Sequence, residues 1–452
     1  MRRSLGVLAP DLLLRLHERH PDRYPALLES VGGAPELGRY DVLFAAPGPQ
    51  LQLGADGSVV GPHASAGGKA FLASLDAWWS AARTESSVPD ALPFSGGWFV
   101  YLGYELAGEI EPRLRLRPSR LPCALAWRMH GAVVRDRSTG DVVACAEPEG
   151  LAQLQEQLDA DVAAATVAAR PVAGPMALAV EEDEPDVFLG GVETILEAIA
   201  RGDVYQANLS RGWRARLPGG VGAGELYRRL RAANPAPFAG SARLQGFTVL
   251  SSSPERLLRI EGNTASTRPI AGTRPRGVTR ACDDRLRAEL ELNEKERAEH
   301  VMLVDLGRND LGRICRGGTV RVDEFMTIES YATVHHIVSN VSGELRAGVT
   351  PGEAVAAVFP GGTITGCPKV RCMELLAGLE QDPRDAYTGS MGYLGRDGTL
   401  DLNILIRTLT LRGDAIGFRT GAGIVADSHP EAELAETRSK ARGLLRALGS
   451  DT

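Results

Sequence analysis

Hydrophobic and polar positions alternate with two different periods along this 452-residue chain. Short apolar runs between Gly and Pro turns fill its first part, and GGWFVYLGYE at 96–105 predicts a buried strand after a turn. Apolar residues at helical spacing predict helices at 150–168 and from 187 to Gly202. The N-terminal MRRSLGVLAPDLLLRL imitates a secretion signal but has no small-residue cleavage site, so we expect a helix to start at Pro10.

The segment VYQANLSRGWRARL, which follows Gly202, has the period of a strand. That period places Gln206, Asn208 and Ser210 on the face opposite Ala207 and Leu209. A polar face of this kind has two interpretations, an edge strand facing water or a strand that lines a polar pocket. The sequence alone leaves both open.

A change of composition divides the chain. The stretch RPVAGPMALAVEEDEPD at 170–186 is rich in Ala and Pro and then acidic, which is typical of a linker or an exposed crossing. We therefore predict an N-terminal region at 1–145, a connecting segment at 146–186 and a larger region at 187–452.

Composition excludes several classes of protein. The formal net charge is −7 with no basic run, which does not favour binding to nucleic acid or to an anionic membrane. No run of 18 uninterrupted apolar residues predicts a membrane span. Six scattered cysteines are typical of reduced thiols and predict a cytoplasmic protein. Cys367 and Cys372 lack a second pair or a nearby histidine, so a zinc site is not expected.

Two predicted helices carry acidic residues on one face. Glu433, Glu436 and Lys440 share a face of the last helix, and Glu296 and Glu299 share a face of an earlier one. A solvated surface would explain either helix alone. If the two helices face each other, their carboxylates need a cation, and an all-oxygen set favours Mg²⁺. Because Mg²⁺ in proteins usually bridges to an anion, the pattern predicts a substrate with carboxylates or phosphates.

Long motifs resemble one family over nearly the whole chain, most strongly from about 187 to 446. These motifs are GDVYQANLSR, SSSPERLL, TRPIAGTRPRG, KERAEHVMLVDLGRNDLGR, ATVHHIVSNV, FPGGTITGCPKVRCMELL, GYLG, IRTLTL and GAGIVADSHPEAELAETRSKA. They resemble the chorismate-utilising enzymes, the family that includes the large subunits of anthranilate synthase and aminodeoxychorismate synthase. The resemblance implies an α+β fold with two packed central β-sheets and helices outside. It also implies an anthranilate-synthase-like region at 1–145 and a chorismate-binding catalytic region at 187–452.

The resemblance implies a metal site and a substrate site. Mg²⁺ would be held by Glu299, Glu433 and Glu436, with Glu296 beside them, and would hold the ring carboxylate of chorismate. The enolpyruvyl carboxylate would bind Arg407, a tyrosine and backbone amides of a glycine-rich strand. The implied substrate-binding set comprises Arg407, Tyr393, Lys440, Gly421, Ala422, Gly423, Thr273 and Thr365.

Four positions match the family's reacting groups. Glu255 matches a general acid that helps the C4 hydroxyl leave, which implies burial that keeps it protonated near neutral pH. His336 matches a histidine beside the ring. Gln206 stands where water-adding relatives have lysine, and a neutral amide is no general base, so ammonia is the expected nucleophile. Ala271 stands where many aminodeoxychorismate synthases have a lysine.

The product and the partner are further expectations. Ala271 is the anthranilate-synthase pattern, whereas NPAPF at 234–238 and GRYDVLFAAP at 38–47 resemble the aminodeoxychorismate branch, which we favour. Amination at C4 would then proceed without a lysine adduct. No cysteine lies in a Gly-x-Cys-x-Gly turn, so a separate glutamine amidotransferase subunit is expected to supply ammonia. The alternatives are anthranilate synthesis and, more distantly, a non-catalytic chorismate-binding protein.

Overall fold

A computed structural model describes most of the chain. Its described residues are 2–32, 38–64, 70–84, 92–166, 176, 178–331 and 334–450. Of the connecting stretch expected at 170–186, residues 170–175 and 177 lie outside this described part. The predicted division into three regions therefore stays a prediction.

Eleven α-helices and two short 3₁₀ turns lie in the described residues. The helices are α1 Leu12–Arg19, α2 Phe71–Ala82, α3 Ala107–Ile110, α4 Pro148–Thr166, α5 Pro185–Ala200, α6 Ala223–Ala233, α7 Arg280–Leu292, α8 Glu294–Gly312, α9 Pro351–Val358, α10 Lys369–Leu379 and α11 Pro430–Ala447; the 3₁₀ turns are Tyr104–Leu106 and Gly362–Ile364. Asn293 caps α8 by accepting from the backbone N–H of Glu296, which fixes where that acidic helix begins.

The same residues contain 21 strands. They are β1 Arg2–Val7, β2 Ala26–Glu29, β3 Tyr40–Leu53, β4 Val59–Val60, β5 Gly97–Leu102, β6 Ala124–Asp136, β7 Asp141–Ala146, β8 Glu181–Glu182, β9 Gln206–Arg216, β10 Phe238–Leu244, β11 Phe247–Ser253, β12 Arg256–Glu261, β13 Thr264–Thr267, β14 Ile270–Pro275, β15 Arg321–Ser330, β16 Val334–Glu344, β17 Gly366–Cys367, β18 Ser390–Gly395, β19 Leu400–Asn403, β20 Thr408–Arg412 and β21 Ala415–Ile424.

The long strand β6 joins two arms of antiparallel strands. One arm runs through β3, β2, β10, β11, β20 and β21 to β9. The other runs through β5, β18, β19, β12 and β13 to β16. The mixed α and β fold class is confirmed, and hydrogen bonds link the strands of the expected sheets into one continuous network. Strands from both ends of the sequence pair directly, so they form one body.

The elements predicted from hydrophobic spacing are confirmed. All six residues of β5 are buried, as expected for the run at 96–105. Helix α4 covers most of 150–168, α5 ends just before Gly202, and α1 begins two residues after Pro10. All six cysteines are free thiols. None of the described helices has the length and apolar character needed to cross a membrane.

Apolar packing behind β9 and β21 positions the polar face of β9. Ala207 and Leu209 pack in one cluster with Val192 of α5, Leu376 of α10 and Ala422 of β21. Burying a side chain such as Leu209 contributes about 1.5–3 kcal/mol, so this packing fixes which face of β9 turns away from the cluster. Because β9 pairs with β21 along its length and with β17 and β8 elsewhere, it is not an edge strand facing water. The opposite face, with Gln206 and Asn208, is buried and polar.

Candidate active site

The acidic faces of α8 and α11 lie near each other. Burial, with repulsion from Glu436 and Glu433 among the smaller causes, raises the pKa of Glu299. Burial also raises the pKa of Glu433, again with Glu436 contributing. These electrostatic effects place Glu299 of α8 within range of Glu433 and Glu436 of α11, as the resemblance implied. Glu296, one turn before Glu299, instead forms an ion pair with Arg274 at 3.0 Å.

This acidic cluster is suited to a cation without being closed around one. Among the described residues, no three His, Cys, Asp or Glu side chains gather closely enough to hold a metal ion. The Oε1 atom of Glu436 lies 2.6 Å from Nζ of Lys440 instead. The donors Glu299, Glu433 and Glu436 are all carboxylates that repel one another, and such a set fits Mg²⁺ better than zinc. Their role as metal ligands stays a prediction.

Arg407 is a half-buried cation without a carboxylate partner among the described residues. Burial lowers its pKa, and the smaller electrostatic effects of Tyr387 and Glu436 raise it. Its backbone has φ +53°, which in a non-glycine residue costs about 1–3 kcal/mol and often marks a functional site. A desolvated guanidinium held in this way needs an anion, so Arg407 is suited to bind a carboxylate.

The tyrosine beside Arg407 is Tyr387 rather than Tyr393. Tyr393 packs edge to face against Phe94, with ring centroids 5.8 Å apart, and its charged neighbours are led by Asp401. Within the described part of the chain, no hydrogen bond or ring contact joins Tyr393 to Arg407. Strand β18 turns the side chain of Tyr393 into an aromatic core, so Tyr387 is better placed towards Arg407, and the role of Tyr393 as a substrate ligand stays a prediction. Tyr387, missed from the sequence, lies three residues after Arg384 in a turn before β18.

Strand β21 presents the backbone N–H groups of Gly421 and Gly423 on the side away from β9. Nζ of Lys440 donates to the Gly421 carbonyl at 2.9 Å, and the backbone N–H of Ser210, opposite Gly421, bonds to Glu380 instead. The pair of Gly421 and Ser210 is therefore not hydrogen-bonded within the ladder, and the N–H groups of Gly421 and Gly423 point away from β9.

Ala422 differs from its two glycine neighbours. Its side chain is fully buried in the apolar cluster behind the strand, and its backbone groups turn towards β9. Neither its side chain nor its backbone groups therefore face the side to which the N–H groups of Gly421 and Gly423 point, and its contact with the substrate stays a prediction. Alternation along a strand could have separated it from Gly421 and Gly423 at the outset.

The glycines also leave space for side chains of β9. A Cβ atom at Gly421 would lie 2.3 Å from Oδ1 of Asn208 and 2.7 Å from the Tyr387 hydroxyl. A Cβ atom at Gly423 would lie 2.4 Å from Nε2 of Gln206. Neither glycine has a positive φ, so glycine is needed here for the space that a Cβ atom would fill and not for a left-handed backbone conformation. These contacts join β9, β21, Tyr387 and Lys440 at one place.

Glu255 lies at the wall of a cleft. The cleft is also lined by Thr363 and by Leu303 and Gly307 of α8. The hydroxyl of Thr363 donates to Oε1 of Glu255 at 2.8 Å. Burial raises the pKa of Glu255 to about 7, against the opposing effects of Thr363 and Lys440. The side chain therefore has the environment that the sequence analysis expected of a general acid.

His336 lies next to Thr273 on paired strands. Its Nδ1 is 3.0 Å from the carbonyl of Gly272 and 3.0 Å from the hydroxyl of Thr273. Burial lowers the pKa of His336 to about 4, with Arg407 adding to the effect, so the ring is neutral near pH 7. Ala271, on the same strand as Thr273, pairs with Ile337.

Thr365 does not face the cleft. Its side chain is fully buried, and its hydroxyl donates to the carbonyl of Gly361 at 2.9 Å. The polar group of Thr365 is therefore used within the loop, and its role as a substrate ligand stays a prediction. The hydroxyl that reaches Glu255 belongs to Thr363 in the same GGTITG segment.

Comparisons with known proteins identify the family. The model of the chorismate binding enzyme family matches residues 43–446. The chain is 43% identical over 365 residues to an anthranilate synthase component I-like protein of Synechocystis sp., covering 80% of this chain and 74% of that protein. It is 41% identical over 399 residues to aminodeoxychorismate synthase component 1 of Bacillus subtilis, covering 83% and 82%.

A solved structure gives the same result for the fold. Anthranilate synthase component I from Streptococcus pneumoniae superposes with a TM-score of 0.80 at 28% identity, over 90% of this chain and 92% of that one. The chain belongs to the chorismate-binding enzyme family. It is a chorismate-utilising enzyme, and relatives named for two different reactions resemble it to a similar degree.

Proposed function

We propose that the protein aminates chorismate at C4, giving 4-amino-4-deoxychorismate for 4-aminobenzoate synthesis. The observation that carries amination is the buried carboxamide of Gln206 beside Gly423. A carboxamide cannot take a proton from water, whereas ammonia attacks without prior deprotonation. The branch assignment is supported by the NPAPF and GRYDVLFAAP segments and by the Bacillus subtilis relative.

The substrate's two carboxylates would bind at separate places. Arg407, with the free N–H groups of Gly421 and Gly423, suits the enolpyruvyl carboxylate. Glu299, Glu433 and Glu436 would hold Mg²⁺, which supplies positive charge to the ring carboxylate when bound. The neutral imidazole of His336 adds no second cation beside Arg407, so it suits a place next to the ring.

Glu255 would supply the proton for the departing hydroxyl. Thr363 donates to one carboxyl oxygen, which leaves the other to carry the proton. The C4–O bond breaks, the hydroxyl leaves as water with the proton from Glu255, and the nitrogen lone pair forms the new C–N bond. The extra proton on nitrogen is then lost to the Glu255 carboxylate or to solvent. With Ala271 in place of a lysine, any temporary adduct at C2 would be formed by ammonia itself.

Product analysis tests the assignment. The purified chain, incubated with chorismate, Mg²⁺ and an ammonium salt, should form a product that keeps its enolpyruvyl group and becomes 4-aminobenzoate only after a lyase is added. Ala271→Lys should retain activity, since lysine is frequent there in the aminodeoxychorismate branch.

Anthranilate synthesis is the second candidate, favoured by Ala271. Fluorescent anthranilate formed without a lyase, with an equal amount of pyruvate, would establish it and refute the C4 assignment. Failure to consume chorismate under any of these conditions would instead support the non-catalytic alternative.

The proposed amidotransferase partner has its own test. The chain alone should use ammonium salts but not glutamine, and glutamine should become a nitrogen source only when an amidotransferase subunit is added. Glutamine-dependent turnover by the purified chain alone would contradict the requirement for a partner.

A further inference from the structure

Two buried carboxamides of β9 have oxygens without a hydrogen-bond partner in the described part of the chain. Oε1 of Gln206 and Oδ1 of Asn208 have no partner among the described residues, although the two residues are only 9% and 8% exposed. A buried polar atom left unpaired costs about 1–3 kcal/mol, so such atoms are uncommon in folded proteins. Two of them, two residues apart on one face of β9, indicate a place where a ligand supplies the missing donors.

The surroundings direct both carboxamides to one side. The side chains of Gln206 and Asn208 lie over Gly423 and Gly421 of β21, where any Cβ atom would collide with them. The Gly421 carbonyl is held by Lys440, and Lys440 is paired with Glu436 of the acidic cluster. The two carboxamides therefore lie beside the surfaces proposed to bind the substrate's carboxylates.

The backbone beneath Asn208 is already satisfied, so only its side chain awaits a partner. Its N–H donates to the carbonyl of Thr365 at 3.0 Å, and its carbonyl accepts from Nη2 of Arg384 at 2.6 Å. Among the described residues, no carboxylate forms a hydrogen bond with the carboxamide of Gln206 or Asn208. The carboxylate of Glu380, which accepts from Ser210 on the same strand, is paired with Arg384. Two neutral acceptors without a carboxylate favour a small neutral donor over a cation.

We infer that Asn208 and Gln206 together form the binding site for ammonia. Ammonia has three N–H donors and one lone pair, so two N–H groups can bond to the two carboxamide oxygens while the lone pair stays directed at the ring. Asn208 is thereby a nucleophile-binding residue, and Gly421 and Gly423 provide the room that its site requires. This inference rests on the proposed function in one respect, the use of ammonia.

Steady-state kinetics on the purified chain tests the site. Ammonium chloride is varied at fixed pH, Mg²⁺ and saturating chorismate, and chorismate is then varied at saturating ammonium. Asn208→Leu, which is similar in size but has no amide, should raise the KM for ammonia about 2- to 12-fold, the equivalent of one lost hydrogen bond. The KM for chorismate should stay as in the parent. Asn208→Ser, which keeps an acceptor oxygen, should show a smaller rise.

Controls separate this inference from the proposed function. Asn340→Leu removes a carboxamide that bonds to Asp323 on another strand, and should change neither KM. An Asn208→Leu variant with the parent's KM for ammonia, or with a raised KM for chorismate alone, would overturn the ammonia site. If that variant does not fold, Asn208→Ala is measured in the same way and decides. Anthranilate as the parent's product would overturn the C4 assignment alone, and isochorismate would overturn both.

Discussion

Replacing Glu255 by Gln should cost activity and gain stability at the same time. The substitution keeps the shape of the side chain and an oxygen that accepts from Thr363, but it removes the proton that the departing hydroxyl needs. General acid catalysis contributes about 10²- to 10⁴-fold, so turnover should fall by that factor while the KM for chorismate changes little. This combination would separate the loss of a proton donor from the loss of a binding contact.

The gain in stability follows from burial. Glu255 has a pKa of about 7 in the folded protein and an ordinary value of 4.5 when exposed. The folded state therefore holds its proton more tightly than the unfolded state, and stability falls as the pH rises from 4.5 through 7. The full difference corresponds to about 3 kcal/mol, which is reached above pH 7 and is absent below pH 4.5. A glutamine does not ionise, so the variant does not lose this stability as the pH rises.

The assay is urea unfolding of both proteins at a series of pH values, together with turnover. Glu255→Gln should match the parent near pH 4.5 and exceed its free energy of unfolding by up to about 3 kcal/mol at pH 8. Glu261→Gln, on the exposed end of β12, is the matched control and should follow the parent throughout. In the parent, turnover should decline as the pH rises past about 7. Equal stability of variant and parent at pH 8, or near-parent turnover, would refute the reasoning.

Three further predictions concern the surrounding groups. Glu436→Ala should raise the Mg²⁺ concentration needed for half-maximal activity without unfolding the protein, because it relieves repulsion; an Mg²⁺ dependence equal to the parent's in a titration would contradict the ligand assignment. Tyr387→Phe should raise the KM for chorismate about 2- to 12-fold, whereas Tyr393→Phe should leave it within twofold, and the reverse pattern would restore the original choice of tyrosine. Gly421→Ala should reduce activity severely while circular dichroism stays unchanged, because its Cβ atom would meet Oδ1 of Asn208 at 2.3 Å; an active variant would show that this space is not needed.

The sequence predicted the elements and the acidic helices because both depend on local spacing. Glu433 and Glu436 lie one turn apart on any helix, so their shared face needs no tertiary information. The continuous apolar run of β5 and the helical spacing of apolar residues in α5 likewise predict buried elements without tertiary information. What joined α8 to α11 in the prediction was the resemblance to a family, since nothing in either helix specifies its partner.

The site residues whose placement departs from the sequence prediction are those whose side-chain direction depends on strand register. Tyr387 and Tyr393 are six residues apart and both buried, and only pairing with neighbouring strands decides which one meets Arg407. The segment before β18 includes Asp385 and Thr388 at positive φ, so a simple alternation cannot be extended through it. Tertiary contacts therefore had to supply the choice of tyrosine.

A buried ion cluster explains how this site keeps unpaired polar groups in place. Arg384 bonds to Glu380 and donates to the carbonyls of Asn208 and Ile364, which ties β9 to the loop that carries the partner of Glu255. Glu380 in turn accepts from the backbone and hydroxyl of Ser210. Because each charge here has several partners, the cost of burying it is offset, and breaking one bond would leave a buried charge at a cost of about 3–5 kcal/mol. The paired side chains of Arg384 and Glu380, which lie behind β9, therefore hold in place the two carboxamides and Arg407.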